Sequence, residues 1–368
     1  MGDIALIADS QLGKRLYGLN ETYNDWLQAF KQAGDYVANS KTIKAAIFLG
    51  DTFDAEAMYP KEIKTAQDVV STIRSAGKEA YGILGNHDKG QSDIETITSW
   101  LNVVGITPLT TQGVEIGNYH FIGINHQNKH LLKKTLEELP KPTTSKKIAI
   151  CLHQALKELS MLGGGWEVES AQVPQWVQRV FLGDFHNHCS YKDKHGREFM
   201  YPGAIETVSF NQETEPGFVV FCTKSEKYHH ISTKQRDYIK FNLDKLGKNW
   251  LKTMTDVFTE SSLKYNTKPV AQLISQNPIS EEVKDFTSRH TIKYVTLEFG
   301  STAAENESLS NQVPTTPEDV KALAVSELPI TELGELAKRL LDKPESSVLI
   351  DWQKEKYPQI TAATTTTV

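Results

Sequence analysis

Apolar positions follow two rhythms along the 368-residue chain. Short unbroken runs occur at Ile4 to Ala8, Ala45 to Leu49 and Ala80 to Leu84, where Gly82 is the one non-apolar position. Runs this short and this apolar read as strands covered on both faces. Between them the spacing becomes helical. Tyr23, Trp26, Leu27, Phe30 and Ala33 predict a helix over Thr22 to Asn39, and a second helix is expected near Pro60 to Ala76. Strand and helix therefore alternate up to about residue 125, which favours an α/β fold with a partly parallel sheet. Val114 to Ile124 reads as two short strands around Gly117-Asn118. Further strands are expected at Lys147 to Leu152, Arg179 to Leu182, Glu198 to Tyr201 and Gly217 to Cys222. Sheets from the two halves would pack face to face between helices.

A boundary is expected near residue 240. Beyond it come helix-like segments at Leu243 to Phe258 and Ser280 to Ser288, then a strand at Ile292 to Phe299. Ser301 to Pro314 is polar and reads as a linker. Thr316-Pro-Glu-Asp319 offers an N-cap, Pro at the first helical position and acids in the first turn. Leu333, Leu336, Ala337, Leu340 and Leu341 form one apolar helical face, to pack on this chain or on another protein. The threonine-rich end reads as a frayed tail. No internal repeat is found.

Chemistry-bearing side chains gather where the predicted strands stop. Asp9-Ser-Gln-Leu-Gly13, Gly50-Asp-Thr-Phe-Asp54 and Gly85-Asn-His-Asp88 each follow an apolar run directly. Open α/β sheets place their ligands at such strand ends. Ile148-Ala-Ile-Cys-Leu-His153 and Val180-Phe-Leu-Gly-Asp-Phe-His186 repeat the arrangement. Phosphodiester hydrolysis near neutral pH needs an activated water and relief of phosphate charge, which two divalent ions about 3.5–4 Å apart provide. Such a centre wants a bridging carboxylate with imidazoles and oxygen donors around it. Asp51 is the natural bridge, with Asp9 and Asn86 as terminal ligands.

These segments closely resemble the calcineurin-like metallophosphoesterases, and within them the Mre11/SbcD nuclease branch. The family order is D-x-H, GD-x-x-D or GD-x-x-H, GNHD or GNHE, a lone His, then GH-x-H. Flanking residues sharpen the likeness: Asp9-Ser-Gln-Leu-Gly-Lys-Arg-Leu-Tyr-Gly18, Leu152-His-Gln154, Tyr201-Pro-Gly-Ala-Ile-Glu-Thr-Val-Ser-Phe210 and Pro216-Gly-Phe-Val-Val220. The resemblance spans roughly residues 3 to 240. It implies a four-layer α-β-β-α metallophosphoesterase sandwich at 1–240, a smaller α/β capping and DNA-binding domain at 241–300, and a C-terminal helical partner-binding region at 315–360. By position it assigns Asp9, Gln11, Asp51 and His186 to a first metal, and Asp51, Asn86, His153 and Asp184 to a second. It makes His87 a catalytic imidazole outside the ligand set, oriented by the Asp54 carboxylate. Gln11 and Asp184 depart from the family, which has His at both places. The oxygen-rich set that results favours Mn²⁺ or Mg²⁺ over Zn²⁺. His188 replaces His186 if the turn is shifted by two residues. The resemblance further implies a DNA substrate, a Rad50/SbcC-like SMC ATPase partner and a homodimer. Lys14 and Arg15, beside the first ligand loop, are candidates for substrate phosphate.

Charge and composition adjust this picture modestly. The net charge of −6 argues against a general nucleic-acid coat. Lys224 to Lys252 nevertheless carries eight basic residues against three acidic ones, and the last 89 residues nine against fifteen. No apolar run of about 18 residues is present to span a membrane. The first strand begins almost at once without a charged segment before it, so no signal peptide is expected. Cys151, Cys189 and Cys222 lack paired spacing and read as reduced thiols, hence a cytoplasmic protein. His120 and His126 read as packing or surface residues, and His229-His230 as solvated. Two other readings stay open: a phosphatase or phosphodiesterase for small molecules or phosphoproteins, and a non-catalytic DNA-end scaffold, which Gln11 and Asp184 motivate.

Overall fold

A computed structural model describes residues 2–54, 59–88, 101–160 and 165–298. The expected linker after residue 300, the helical region at 315–360 and the tail lie outside these residues. Met1–Leu159 and Trp166–Phe299 group into one compact unit.

The first sheet contains β1 (Asp3–Ile7), β2 (Ile43–Leu49), β3 (Glu79–Ile83), β4 (Thr107–Pro108), β11 (Gly217–Cys222) and β12 (Tyr228–Ser232), in the order β12-β11-β1-β2-β3-β4. Strands β1 to β4 run parallel, whereas β11 joins β1 antiparallel. The second sheet has the order β5-β6-β7-β8-β10-β9. Its strands are β5 (Val114–Ile116), β6 (Tyr119–Gly123), β7 (Lys147–His153), β8 (Arg179–Gly183), β9 (Cys189–Lys192) and β10 (Glu198–Tyr201).

Alternation along β1 shows how the layers form. Ala5 and Ile7 join the core under helices α1 (Asn20–Asn39) and α2 (Pro60–Ser75), together with Trp26, Phe30 and Val70. Ile4, Leu6 and Ala8 face the other way, into a core shared with Phe121, Cys151 and Phe181 of the second sheet. The outer face of that sheet buries Ile150, Leu152 and Val180 against Leu132 and Leu136 of the helix Lys129–Glu138. The result is an α-β-β-α sandwich. In the middle layer Phe181 stacks on Phe121 at 6.1 Å and tilts against Phe221 at 5.1 Å. Truncating such a fully buried ring costs about 3–5 kcal/mol.

A third, all-parallel sheet, β13 (Tyr238–Asn242), β14 (Val270–Ser275) and β15 (Lys293–Glu298), follows. Phe241, Met254, Phe258, Leu273 and Val283 make its separate core. The single helix expected at Leu243 to Phe258 is two: Leu243–Leu246 and Trp250–Tyr265. The break falls at Gly247, whose φ of 54° continues no right-handed helix.

Candidate metal centre

The parallel strands β1, β2, β3, β7 and β8 end on one side of the sandwich, and the chain turns sharply there. Asp9 has φ 48°, Gln11 39°, Asp51 48° and Asp184 93°, all in the left-handed region that non-glycine residues avoid. Such strain costs on the order of 1–3 kcal/mol per residue and persists where the surroundings fix it. Backbone bonds supply part of that fixing. Asp9 N–H donates to the Gly50 carbonyl at 3.2 Å, and Gln11 N–H to the Asp51 carbonyl at 2.8 Å. Glycines supply the rest. A Cβ on Gly85 would overlap the Asp51 carboxylate, and one on Gly50 or Gly183 would overlap the His153 ring.

Asp9, Asp51 and His153 are buried, with donor atoms within 4.8 Å of one another. His153 Nδ1 donates to the Leu49 carbonyl at 2.7 Å, which leaves Nε2 facing the cluster. That nitrogen lies 3.4 Å from Asp51 Oδ1, 3.1 Å from Asn86 Oδ1, and 4.0 Å from both Asp9 Oδ1 and Asp184 Oδ1. Asp184 N–H reaches both Asp9 oxygens, at 3.3 and 3.2 Å. His186 Nε2 is 3.8 Å from Asp9 Oδ1 and accepts from Gln11 Nε2 at 3.2 Å. All seven expected ligands thus meet at one place. His188 does not join them. Its Nδ1 donates to the Tyr201 carbonyl at 2.8 Å and its ring stacks on His230 at 4.9 Å.

The electrostatics are those of a site built for cations. Burial pushes the Asp9 carboxyl up to about 8, with Asp51 and Asp184 adding to the rise and His153 opposing it. Burial also raises Asp184. It works in the same direction on Asp51, yet His153 and His87 bring that carboxyl down to about 2. Burial lowers the His153 imidazole, but Asp51, Asp9 and Asp184 outweigh it and take it up to about 10. His186, desolvated and near Lys14, falls to about 4. Three aspartate carboxyl groups converge on one imidazole nitrogen, and Gln11 Oε1 is buried with no hydrogen-bond partner among the described residues. Aspartate and amide oxygens beside imidazole nitrogens suit hard or borderline divalent ions, so the donors fit the metal pair expected from the sequence.

His87 lies at the rim. Its backbone N–H donates to Asp51 Oδ1 at 2.9 Å, and its Nε2 stands 3.9 Å from Asp51 Oδ2. The expected bond to the Asp54 carboxylate is not formed. His87 Nδ1 instead meets the Asp54 backbone carbonyl at 2.8 Å, while the carboxylate pairs with Lys14 at 3.3 Å. The carbonyl does the orienting because the Asp54 side chain is turned to the lysine. Asp88 is buried behind this loop, and its two oxygens accept from Phe53 N–H and Gly85 N–H at 3.0 and 2.9 Å. Lys14 therefore stands beside the cluster. Arg15 does not: it bonds Asn20 at 2.8 Å and lies over Tyr23 on α1.

No protein-family model matches the chain. Most of its length is, however, similar to proteins described as DNA double-strand break repair protein Mre11. The one from Saccharolobus solfataricus is 24% identical over 291 residues, which cover 74% of this chain and 75% of the relative. The one from Sulfolobus acidocaldarius is 23% identical over 301 residues, covering 75% and 76%. The chain is thus similar to Mre11 proteins over about three quarters of its length. A Thermus thermophilus structure, TT1561, is 10% identical and covers 63% of this chain and 99% of its own, with a TM-score of 0.42. The buried Asp-Asp-His cluster of this Mre11-like chain fits metal ions.

Around this Mre11-like centre lies a pair that the sequence reading passed over. His126, expected to be a packing or surface residue, sets its ring edge-on to His153 at 6.3 Å and bonds Glu167 through Nε2 at 3.0 Å. Its backbone N–H donates to the Leu84 carbonyl at the tip of β3. The available signal was His126 three residues beyond β6, the same placement as Asn86 beyond β3. His120 is a packing residue, buried beneath Gly113. No described helix is long and apolar enough to cross a membrane.

Proposed function

We propose that this chain is a metal-dependent DNA nuclease. The observation that carries the reading is the buried Asp9–Asp51–His153 cluster at the strand ends, with His87 on its rim. The printed function of the Mre11 relatives supplies the DNA substrate. Asp9, Gln11, Asp51 and His186 would hold one ion, and Asp51, Asn86, His153 and Asp184 the other. Bound together, such ions offset phosphate charge and bring proton loss from water into the neutral range. The donor set favours Mn²⁺, with Mg²⁺ the alternative.

The protein's own groups do the rest. Asp54 holds His87 by its carbonyl, so Nε2, on the cluster side, is left to carry a proton to the leaving oxygen. Lys14, restrained by the Asp54 carboxylate, meets a non-bridging phosphate oxygen. Arg15 contacts the strand further out. Residues 241–300 cap the site and hold DNA, while 315–360 bind a Rad50/SbcC-like ATPase; the assembly is a homodimer in the cytoplasm. Digestion of linear duplex and single-stranded DNA with Mn²⁺ or Mg²⁺ tests the reading. Turnover of small phosphodiesters with both DNAs left intact, ATPase present or absent, would sink the DNA substrate. Failure to retain any divalent ion in millimolar Mn²⁺ would sink the enzyme.

A further inference from the structure

On the His153 side of the cluster stands an aromatic–cation group that the proposed chemistry does not use. Trp166 is half-buried and joins none of the apolar cores of the described residues. Its neighbours are ammonium groups: Lys129 Nζ lies 2.9 Å from the ring centroid and Lys157 Nζ 4.7 Å. A short ladder ties the indole to the metal site. Glu167 N–H donates to the Ala155 carbonyl at 2.9 Å, Ala155 N–H returns to Glu167 Oε2 at 3.2 Å, and Leu156 bridges Val168 in parallel. Ala155 is two residues past His153, and Glu167 holds His126 against the His153 ring. The strip leads outward from the ligands and carries Trp166 and Lys157 on it.

Two cations on an indole are the complement of a nucleotide: phosphates draw the ammonium groups off the ring, and the face they leave stacks on the adjoining base. Lys157 Nζ also pairs with Glu169 Oε1 at 2.9 Å. That pair is partly exposed and yields readily to a phosphate. Bases inside a duplex already have both faces stacked, so the indole takes a base from an unpaired strand. We propose that Trp166, Lys129 and Lys157 form a subsite for an unpaired nucleotide of a DNA strand whose phosphodiester lies at the metal cluster. The proposal deepens the nuclease reading and rests on it.

Fluorescence anisotropy with labelled oligothymidylate and with a blunt duplex, in EDTA, separates binding from cleavage. Trp166→Ala should bind the single strand about tenfold more weakly, with duplex affinity held within about twofold, and Trp166→Phe should retain most of the single-strand affinity. Lys129→Gln with Lys157→Gln should flatten the salt dependence of single-strand binding by about 1.4 in log–log slope, the release from two phosphates. Mn²⁺-dependent hydrolysis of bis(4-nitrophenyl) phosphate should be unchanged in all of these variants, which certifies fold and cluster. Equal single-strand binding by wild type and Trp166→Ala, with ester hydrolysis intact, overturns the subsite and leaves the nuclease reading standing. Wild type that hydrolyses the ester but binds neither DNA overturns both. If Trp166→Ala does not fold, the lysine pair decides, and an unchanged salt slope overturns the subsite.

Discussion

His87 reaches the cluster without being enclosed by it. Its side chain is 41% exposed, against 3% for Asp51 and none for His153. Removing the ring should therefore leave the buried donors in place. His87→Ala should keep bound Mn²⁺ and DNA affinity while cleavage falls about 10²–10⁴-fold, the usual contribution of a general acid or base. Metal content and single-turnover cleavage measured on one preparation check this, and a joint loss of metal and activity would make His87 a ligand instead. Gln11 and Asp184 call for the opposite experiment. Both offer oxygen where imidazole is usual, and both sit at strained φ angles beside Asp9. Gln11→His with Asp184→His should preserve cleavage and move metal preference towards Zn²⁺ or Co²⁺. Unaltered preference and rate, from a metal titration of activity, would put both side chains outside the ligand set.

Strand ends turn these single residues into a site, and glycine makes the turns possible. Gly85 packs so tightly on Asp51 that a methyl group would displace the carboxylate. Gly85→Ala should therefore abolish metal retention while the circular dichroism of the fold survives, with stability lowered by about 1–3 kcal/mol, the range for overpacking. Full metal occupancy in that variant would mean that the loop relaxes at little cost. Much at this scale was legible in the sequence. β1, β2, β3, β7 and β8 carry apolar runs, interrupted in β3 by Gly82 alone, that stop at or just before a glycine or a ligand, so strand, turn and donor announce one another. Strands β12 and β13 went unread, because Tyr228–Ser232 and Tyr238–Asn242 lie among lysines and histidines that looked like a solvated face, and β14 went unread although only Gln272 and Ser275 break its apolar character. The helix Lys129–Glu138 also escaped: Leu132 and Leu136 are the two residues it buries, too few for a periodic signal. Gly247 was overlooked as a helix break. The His126–Glu167 pair joins residues 41 apart through side chains alone, which no local pattern encodes. Asp54 was placed correctly in the loop, but whether its carboxylate or its carbonyl meets His87 depends on Lys14, a partner from another turn.

Across the whole molecule, the two-sheet body meets the third sheet through buried charge. Arg236 donates to Asp25 of α1 at 2.7 and 3.1 Å and also to the Lys268 carbonyl ahead of β14. One residue earlier, Gln235 N–H donates to Glu206 Oε2 at 2.7 Å, and Thr207 N–H meets Oε1 at 2.7 Å. Glu206 is fully buried, and among the described residues no basic side chain pairs with it. Burial pushes its carboxyl from the ordinary 4.5 up to about 8; nearby Asp25 adds to the rise, while the two backbone N–H groups oppose it. A raised acid has a definite consequence for stability. Between about 4.5 and 8 the folded protein keeps a proton that the unfolded chain has released, so this group makes stability fall as pH rises through that window. The loss is on the order of a few kcal/mol and levels off above it. Glu206→Gln cannot ionise and should lack that contribution, whatever it does to stability at pH 5. Denaturant unfolding of both proteins in EDTA, at intervals from pH 5 to pH 8, isolates the effect, since the other titrating groups cancel in the difference. The variant should gain on wild type steadily as pH rises. A constant difference would show that Glu206 is ionised in the fold and that the junction tolerates an unpaired buried charge.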